Sequence, residues 1–568
     1  MSFIKLISRR IYLFIKTKPY LQYLLVFSFL FILFNSLYMP LGTLSSGDDH
    51  FFHFRFAEQM TENGFLQSFH DFKAIYLSKM AQTQDYFVYY NFLFYLLIIP
   101  FSLITPLYLG IKLYAIFAVS LSLTILYGCL KKLNLSWPFL YIVIFLSIVG
   151  MTSIWRFFLS RPYTLAPILL VLFMYFISRK KYWGVFVISF IYLFWHSSTF
   201  FFPLAAAICY WGVQVFYRTK PDYKNLLYTI GGTLVAIFVI YLISPGFIVF
   251  MKQLIIDEIL FNDTKTVYQG RELYPFNLFD FISNNLLMFS SFITLVCADI
   301  YAYILFRTRK LAEIDFLARM PIDNKYLQTS VLLITLVFFV SMVSLSGRFR
   351  DFFTFFAALY SILTFEYLYR SISLTGNTLI KRGLYFGLIV MLIYLLSSNL
   401  LALQSFIAKG QSPIEFYQVG NWLARNTKPG DVVFETNWGW FPQLYYWSPK
   451  NYYTMGLDPR YLYDYDPELY WLSEHIPTSV NLCKKQSCPE MKEELTRLVA
   501  TKNEKALDQY AIDTGNQIAS ILRQKFKSSY LVTSDNNAAF NYTLDQSSYF
   551  KKEIYDSIFG LTIYRILK

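Results

Sequence analysis

The stretch Gly47-Asp48-Asp49-His50-Phe51-Phe52-His53-Phe54-Arg55 holds two adjacent carboxylates, two histidines and a guanidinium. Such a set can do two kinds of chemistry. A carboxylate within hydrogen-bond reach of a hydroxyl can act as its general base. Carboxylates with a histidine can instead hold a divalent cation that neutralises a leaving phosphate. If the chain turns helical after Asp49, then Asp49 and His53 are spaced i, i+4 and share a face. They are the candidate ligands for a divalent metal such as Mg or Mn. His53 and Arg55 would support the carboxylates. Asp48 or Asp49 would equally suit a helix N-cap. The plainer alternative is a capped interfacial helix with snorkelling charges.

Other ionisable groups recur between apolar runs. Arg348-Phe349-Arg350-Asp351 stands between two such runs, and Arg156 and Arg161 between two others. The rigid guanidinium fork suits phosphate recognition, so Arg348, Arg350 and Arg161 are candidate phosphate contacts. An interfacial anchor is the alternative for each. His196, in Trp195-His196-Ser197-Ser198, is a candidate site residue or a satisfied buried polar group. Gly456-Leu457-Asp458-Pro459-Arg460 is followed by Tyr463-Asp464-Tyr465-Asp466-Pro467. Aromatics beside carboxylates suit sugar stacking, yet Asp-Pro also opens turns.

The elements that must position these groups are mostly apolar. Of 568 residues, 56% are hydrophobic and 15% charged, and the mean hydropathy is +0.41. A soluble domain carries about 25% charged residues. The composition therefore points to a polytopic α-helical membrane protein. Eleven spans are expected, at 20–41, 108–130, 136–153, 162–178, 183–199, 200–217, 226–246, 285–306, 328–346, 350–369 and 383–404. The run Asn91–Thr105, interrupted by Pro100 and followed by Pro106, is read as juxtamembrane or re-entrant. Basic clusters (Lys131-Lys132, Arg179-Lys180-Lys181, Arg307-Arg309-Lys310 and Lys381-Arg382 among them) then fall at alternate gaps, on the side of the basic N-terminus. The positive-inside rule makes that side cytoplasmic and the C-terminal region extracytoplasmic. It also accounts for the net charge of +14 without nucleic acid. The basic start runs into an apolar stretch too long for an h-region, so no cleavable leader is expected.

Residues 1–409 thus read as a transmembrane domain with a long first external loop, 42–107. Residues 410–568 read as an α/β domain, from helix-prone segments alternating with the short strands Val432–Thr436, Tyr530–Thr533 and Leu561–Leu567. If that domain is exported, Cys483 and Cys488 are expected to form a local disulfide.

The run from Asp49 to Ala57, with Gly64 beyond, resembles the Asp-Pro-Tyr-Tyr-His-x-Arg pattern of oligosaccharyltransferase catalytic subunits. More broadly it resembles the GT-C membrane glycosyltransferases, including protein O-mannosyltransferases and aminoarabinose transferases. The layout of spans, long first loop and external C-terminal domain is similar as well. The resemblance implies that Asp49, with Asp48 as the alternative register, takes the place of a catalytic or metal-binding aspartate. It also implies an arginine near the start of a late span, here Arg348 or Arg350, against a lipid donor's phosphate. His50 stands where the pattern has proline. Asn437-Trp438-Gly439-Trp440-Phe441 stands near the place of an acceptor-reading Trp-Trp-Asp segment. It keeps tryptophans without the Asp, which points away from protein N-glycosylation. Trp438, Trp440 and Asp458 are the candidate acceptor contacts.

The expectation is a glycosyltransferase of the cell membrane. It would move a sugar from a polyprenyl-phosphate donor to a glycan, lipid or protein acceptor on the outer face. A protein-glycosylating enzyme, a lipid-linked sugar transporter and a non-enzymatic assembly factor are the alternatives. No Gly-rich phosphate loop, GxSxG elbow or zinc signature is present.

Overall fold

The computed structural model describes residues 18–45, 49–70, 72–78, 91–243, 246–247, 277–307, 322–373, 378–487 and 504–567. Asp48, Asp85, the acidic loop around Asp257 and Glu272, and Cys488 lie outside the described residues. Helix α1 covers Pro19–Tyr38. The first loop follows with α2, Asp49–Asn63, α3, Phe65–His70, and α4, Phe92–Ser102. Then come α5, Leu107–Lys132, α6, Pro138–Ile148, α7, Met151–Phe157, α8, Ala166–Ser178, and α9, Tyr182–Trp195. The bundle continues with α10, Phe202–Phe216, α11, Tyr223–Ile243, α12, Leu278–Asn284, and α13, Leu286–Arg307. It ends with α14, Ile322–Ser344, α15, Phe349–Ser373, and α16, Thr378–Ala408.

Six described helices are long and apolar enough to cross a membrane, and eight if each bent pair counts as one span. By helix length and hydropathy this is a multi-pass membrane protein. All eleven expected segments coincide with a helix or a bent pair, and the shortfall falls on α8, α9 and α15. At about 1.5 Å per residue, α8 and α9, of 13 and 14 residues, fall short of a core about 30 Å thick. Helix α15 carries Arg350, Asp351, Glu366 and Arg370 along its length. The 11-residue α4 is likewise too short to span, as expected for Asn91–Thr105.

One break matters for the site. Helices α6 and α7 meet at an angle of 111°. The hinge residue Gly150 has φ +80°, which L side chains rarely adopt. The turn takes α7 and the loop after it out of the direction of α6.

The C-terminal region contains α17, Tyr417–Asn426, β1, Val432–Glu435, α18, Phe441–Trp447, β2, Tyr452–Tyr453, α19, Arg460–Tyr465, and α20, Pro467–Ser479. It closes with α21, Glu504–Gln524, β3, Ser528–Ser534, α22, Ala538–Gln546, β4, Phe550–Asp556, and β5, Leu561–Ile566. The sheet order is β2-β1-β3-β5-β4. Strand β1 runs parallel to β2 and β3, and β5 is antiparallel to β3 and β4. Side chains alternate across the sheet. Val433, Val532 and Ile563 join the core of the membrane helices, whereas Phe434, Leu531 and Tyr564 join a separate core under α20, α21 and α22. Helix α20 is started by local signals. Asp466 accepts from Glu468 N at 2.9 Å and Leu469 N at 3.1 Å as its N-cap, with Pro467 at the first helical position.

The first loop is stitched into this domain. Tyr76 N donates to Tyr453 O at 2.9 Å, and Tyr453 N to Ala74 O at 2.7 Å. Leu44 N donates to Gln411 O at 2.9 Å. A Cβ on Gly410 would sit 2.0 Å from Leu44 O, so glycine is what lets the two segments touch. Cys483 is disulfide-bonded, and Cys129, Cys209 and Cys297 are free.

Candidate functional site

Helix α2 carries the carboxylate of interest at its first residue, and nearly every turn of the helix is buried. Phe51 meets Tyr446 at 5.3 Å between ring centroids, and Phe52 meets Tyr445 at 5.6 Å, both on α18. On the other side Phe54 meets Tyr114 of α5 at 5.9 Å, and His53 meets Phe94 of α4 at 5.1 Å. Tyr445 also donates its hydroxyl to Gln59. The helix is therefore clamped between membrane bundle and C-terminal domain. Its N-terminus favours negative charge, which suits Asp49.

The partner of Asp49 is Arg161. Asp49 Oδ2 lies 2.9 Å from an Arg161 terminal nitrogen, with side chains 26% and 19% exposed. The segment before Arg161 is pinned to the exit of α1. Phe158 packs edge-on against Phe34 at 5.4 Å and Tyr38 at 5.5 Å. Ser45 donates its hydroxyl to Phe158 O at 3.1 Å, and its N–H donates to Tyr38 Oη at 3.0 Å. On the far side Trp195 Nε1 donates to Pro162 O at 2.5 Å. Arg161 is thus fixed from both flanks.

The histidines of the motif are buried beside this pair. His53 Nδ1 and Tyr95 Oη are 2.9 Å apart. His50 is 1% exposed, and its Nε2 has no hydrogen-bond partner. Burial, reinforced by the Arg161 guanidinium, pushes the His50 imidazole down to about 3. The same two causes hold His53 well below the usual histidine range. Both rings are therefore neutral at physiological pH.

A second ionic group lies on α7 and α15. Arg156 Nε is 2.5 Å from Asp351 Oδ1, and Arg350 Nε is 3.9 Å from the same oxygen. The Arg156 guanidinium lies 5.0 Å over the Tyr163 ring, and Tyr163 donates its hydroxyl to Arg156 O at 2.9 Å. Arg156, Asp351, Tyr163, Ser153 and Thr354 line a cavity of about 10 Å³, roughly the space of one water. Arg348 is exposed and lies within electrostatic reach of His196. His196 Nδ1 is otherwise engaged by Thr199 Oγ1 at 2.7 Å and Ser198 Oγ at 3.2 Å.

The remaining predicted residues have other local partners. Arg55 pairs with Glu58 on its own helix. Trp440 packs on Phe416 at 5.7 Å, and Trp438 packs on the outer core of the C-terminal domain. Asp458 Oδ1 accepts from Arg460 N at 2.9 Å, the turn-opening role that Asp-Pro allows. For a metal, the residues fit poorly. No group of three or more His, Cys, Asp or Glu gathers among the described residues. Asp49 is paired with Arg161, and His53 with Tyr95.

Sequence reasoning singled out Asp49, Arg161 and His53 but missed Tyr95, Tyr163 and the Arg156–Asp351 pair. Both members of that pair were visible as outward ionisable residues, but nothing in their spacing joins them. No protein-family profile matches the chain, and no curated protein matches it significantly.

Proposed function

We propose that the chain is a GT-C-like membrane glycosyltransferase that takes a sugar from a polyprenyl-phosphate carrier. The observation that supports this most is the Asp49–Arg161 pair, half-buried at a helix N-terminus where the first loop leaves the bundle. An arginine held against a carboxylate is a guanidinium preorganised for an oxyanion. A donor phosphate would take the fork of Arg161 and release Asp49. The carboxylate would then accept the proton of the acceptor hydroxyl as its oxygen attacks the anomeric carbon. The bond from that carbon to the phosphate oxygen breaks, and the phosphate leaves with the electron pair. Arg161, with Arg350 and Arg348 nearer α15, would stabilise the departing charge. The acceptor is a glycan, a lipid or a protein, and Trp438 and Trp440 are the aromatic surfaces offered to it.

In this reading the short apolar helices also cross, α8 extended by the turn Pro162–Thr164 before it and α9 by local thinning of the bilayer; that gives eleven spans, with the N-terminus in the cytoplasm and residues 410–568 outside the cell membrane. Reporter fusions after Arg382 and after Gly410 should then lie on opposite sides; the same side for both refutes the topology. The chemistry is tested by Asp49→Asn, which keeps size and removes charge. Loss of a general base costs about 10²–10⁴ in rate. The variant should insert normally and lose transfer from a polyprenyl-phosphate sugar. Transfer at the wild-type rate would leave the assembly-factor reading in its place.

A further inference from the structure

A sizeable crevice lies outside this site, at the opposite end of α5. It has a volume of about 380 Å³ and is lined by Tyr23, Ile125, Gly128, Lys132, Leu172 and Tyr175 among others. Sites for small ligands fall at about 300–1,000 Å³. Its walls come from α1, α5 and α8, so it opens sideways between three apolar helices.

Four cations gather at the mouth of the crevice. Lys132 is itself part of the lining. Arg179 donates to Lys132 O at 3.4 Å. Lys131 Nζ lies 5.1 Å over the ring of Tyr23, and Lys181 Nζ 6.0 Å over the ring of Tyr175. Both of those rings line the crevice. Helices α1, α5 and α8 contain no Asp or Glu, so these four cations have no acid on the walls to balance them. An apolar slot between spans, capped by basic and tyrosine side chains at one membrane surface, matches an anionic lipid in shape and in charge.

We propose that this crevice binds one anionic phospholipid of the leaflet at that end. An acyl chain would lie against Leu172 and Ile125, and the phosphate would be held by Lys132 and Arg179. Gly128 keeps the slot open, since any larger side chain there would project into it. The inference is independent of the transfer reaction and of Asp49.

The test uses the full chain, purified in detergent. It is titrated with phosphatidylglycerol or phosphatidylcholine carrying identical acyl chains, and bound lipid is counted by native mass spectrometry. The wild type should prefer phosphatidylglycerol. Removing each cation should weaken that lipid about five-fold, so Lys132→Gln with Arg179→Gln should erase most of the preference. Gly128→Leu keeps every charge but fills the slot. The helix should accept it, because a Cβ there meets only the Tyr23 ring, at 3.5 Å. It should lose the bound phosphatidylglycerol as well. Absence of any preference in the wild type overturns the proposal. So does wild-type phosphatidylglycerol binding by either variant.

Discussion

Asp49 and Arg161 meet at 2.9 Å because two separate packing arrangements converge on them. Tyr38, at the end of α1, receives Phe158 edge-on at 5.5 Å and anchors the loop that carries Arg161. Helix α2 is meanwhile clamped by α4 and α18, which fixes the position of Asp49. The pair is only partly exposed, so its guanidinium is poorly replaced by an ammonium, which lacks the planar fork. Arg161→Lys should therefore keep the fold and weaken donor binding, read as a raised KM for the polyprenyl-phosphate sugar. An unchanged KM would show that Arg161 serves only to hold Asp49.

The Arg156–Asp351 pair makes a different prediction. Its side chains are 11% and 12% exposed, so each charge depends on the other. Removing one partner of a buried pair costs about 3–5 kcal/mol, whereas replacing both by apolar groups is often near neutral. Arg156→Met and Asp351→Leu should each lower the unfolding midpoint in detergent, and the double variant should recover most of the loss. Additive losses in the double variant would mean that the two side chains do not stabilise each other.

How much of this was legible in the chain depends on the physics behind each feature. Apolar runs were readable because a bilayer imposes length and composition on them. The Asp-Pro turn at Asp458 was readable because it is local. Strand β4, Phe-Lys-Lys-Glu-Ile-Tyr-Asp, was missed. It is the edge of the sheet, where charged residues guard the open side and hide the alternation. Helix α22 went unread between two strands for want of a strong periodic signal. The pairing of Asp49 with Arg161 rests on Phe158, Tyr38 and Trp195 meeting from distant elements, which no spacing encodes. The spacing of His53 to Asp49 marks it as a candidate ligand, and no spacing announces that its Nδ1 faces Tyr95 Oη at 2.9 Å.

The burial of His50 has a pH consequence. In the folded chain His50 titrates at about 3, against an ordinary value of 6.5. Below 6.5 the unfolded chain takes up the proton and the folded chain does not. Stability therefore falls as pH drops from about 6.5 toward 3. His50→Phe removes the titration and also the buried Nε2 that has no partner; such an orphan costs about 1–3 kcal/mol. The variant should be more stable than wild type at pH 5, with a shallower acid limb in a thermal melt. An acid limb as steep as that of wild type would assign the pH dependence to other groups.

Glu435, at the end of β1, predicts the opposite slope. Its side chain is fully buried. It accepts from Met455 N at 2.6 Å, from Thr454 N at 3.3 Å and from Thr454 Oγ1 at 3.2 Å. Those bonds favour the ionised form, but burial outweighs them and pushes the carboxyl up from 4.5 to about 8. The folded protein thus keeps a proton that the unfolded chain releases above 4.5. Its contribution to stability is complete below 4.5 and is lost as pH rises through about 8. Glu435→Gln keeps the acceptor for Met455 N, and its amide can donate to Thr454 Oγ1, although it then faces Thr454 N–H. The variant should start less stable than wild type at pH 5 and lose less between pH 5 and pH 8.5. Parallel melting curves for the two proteins across that range would show that Glu435 carries no proton in the folded state.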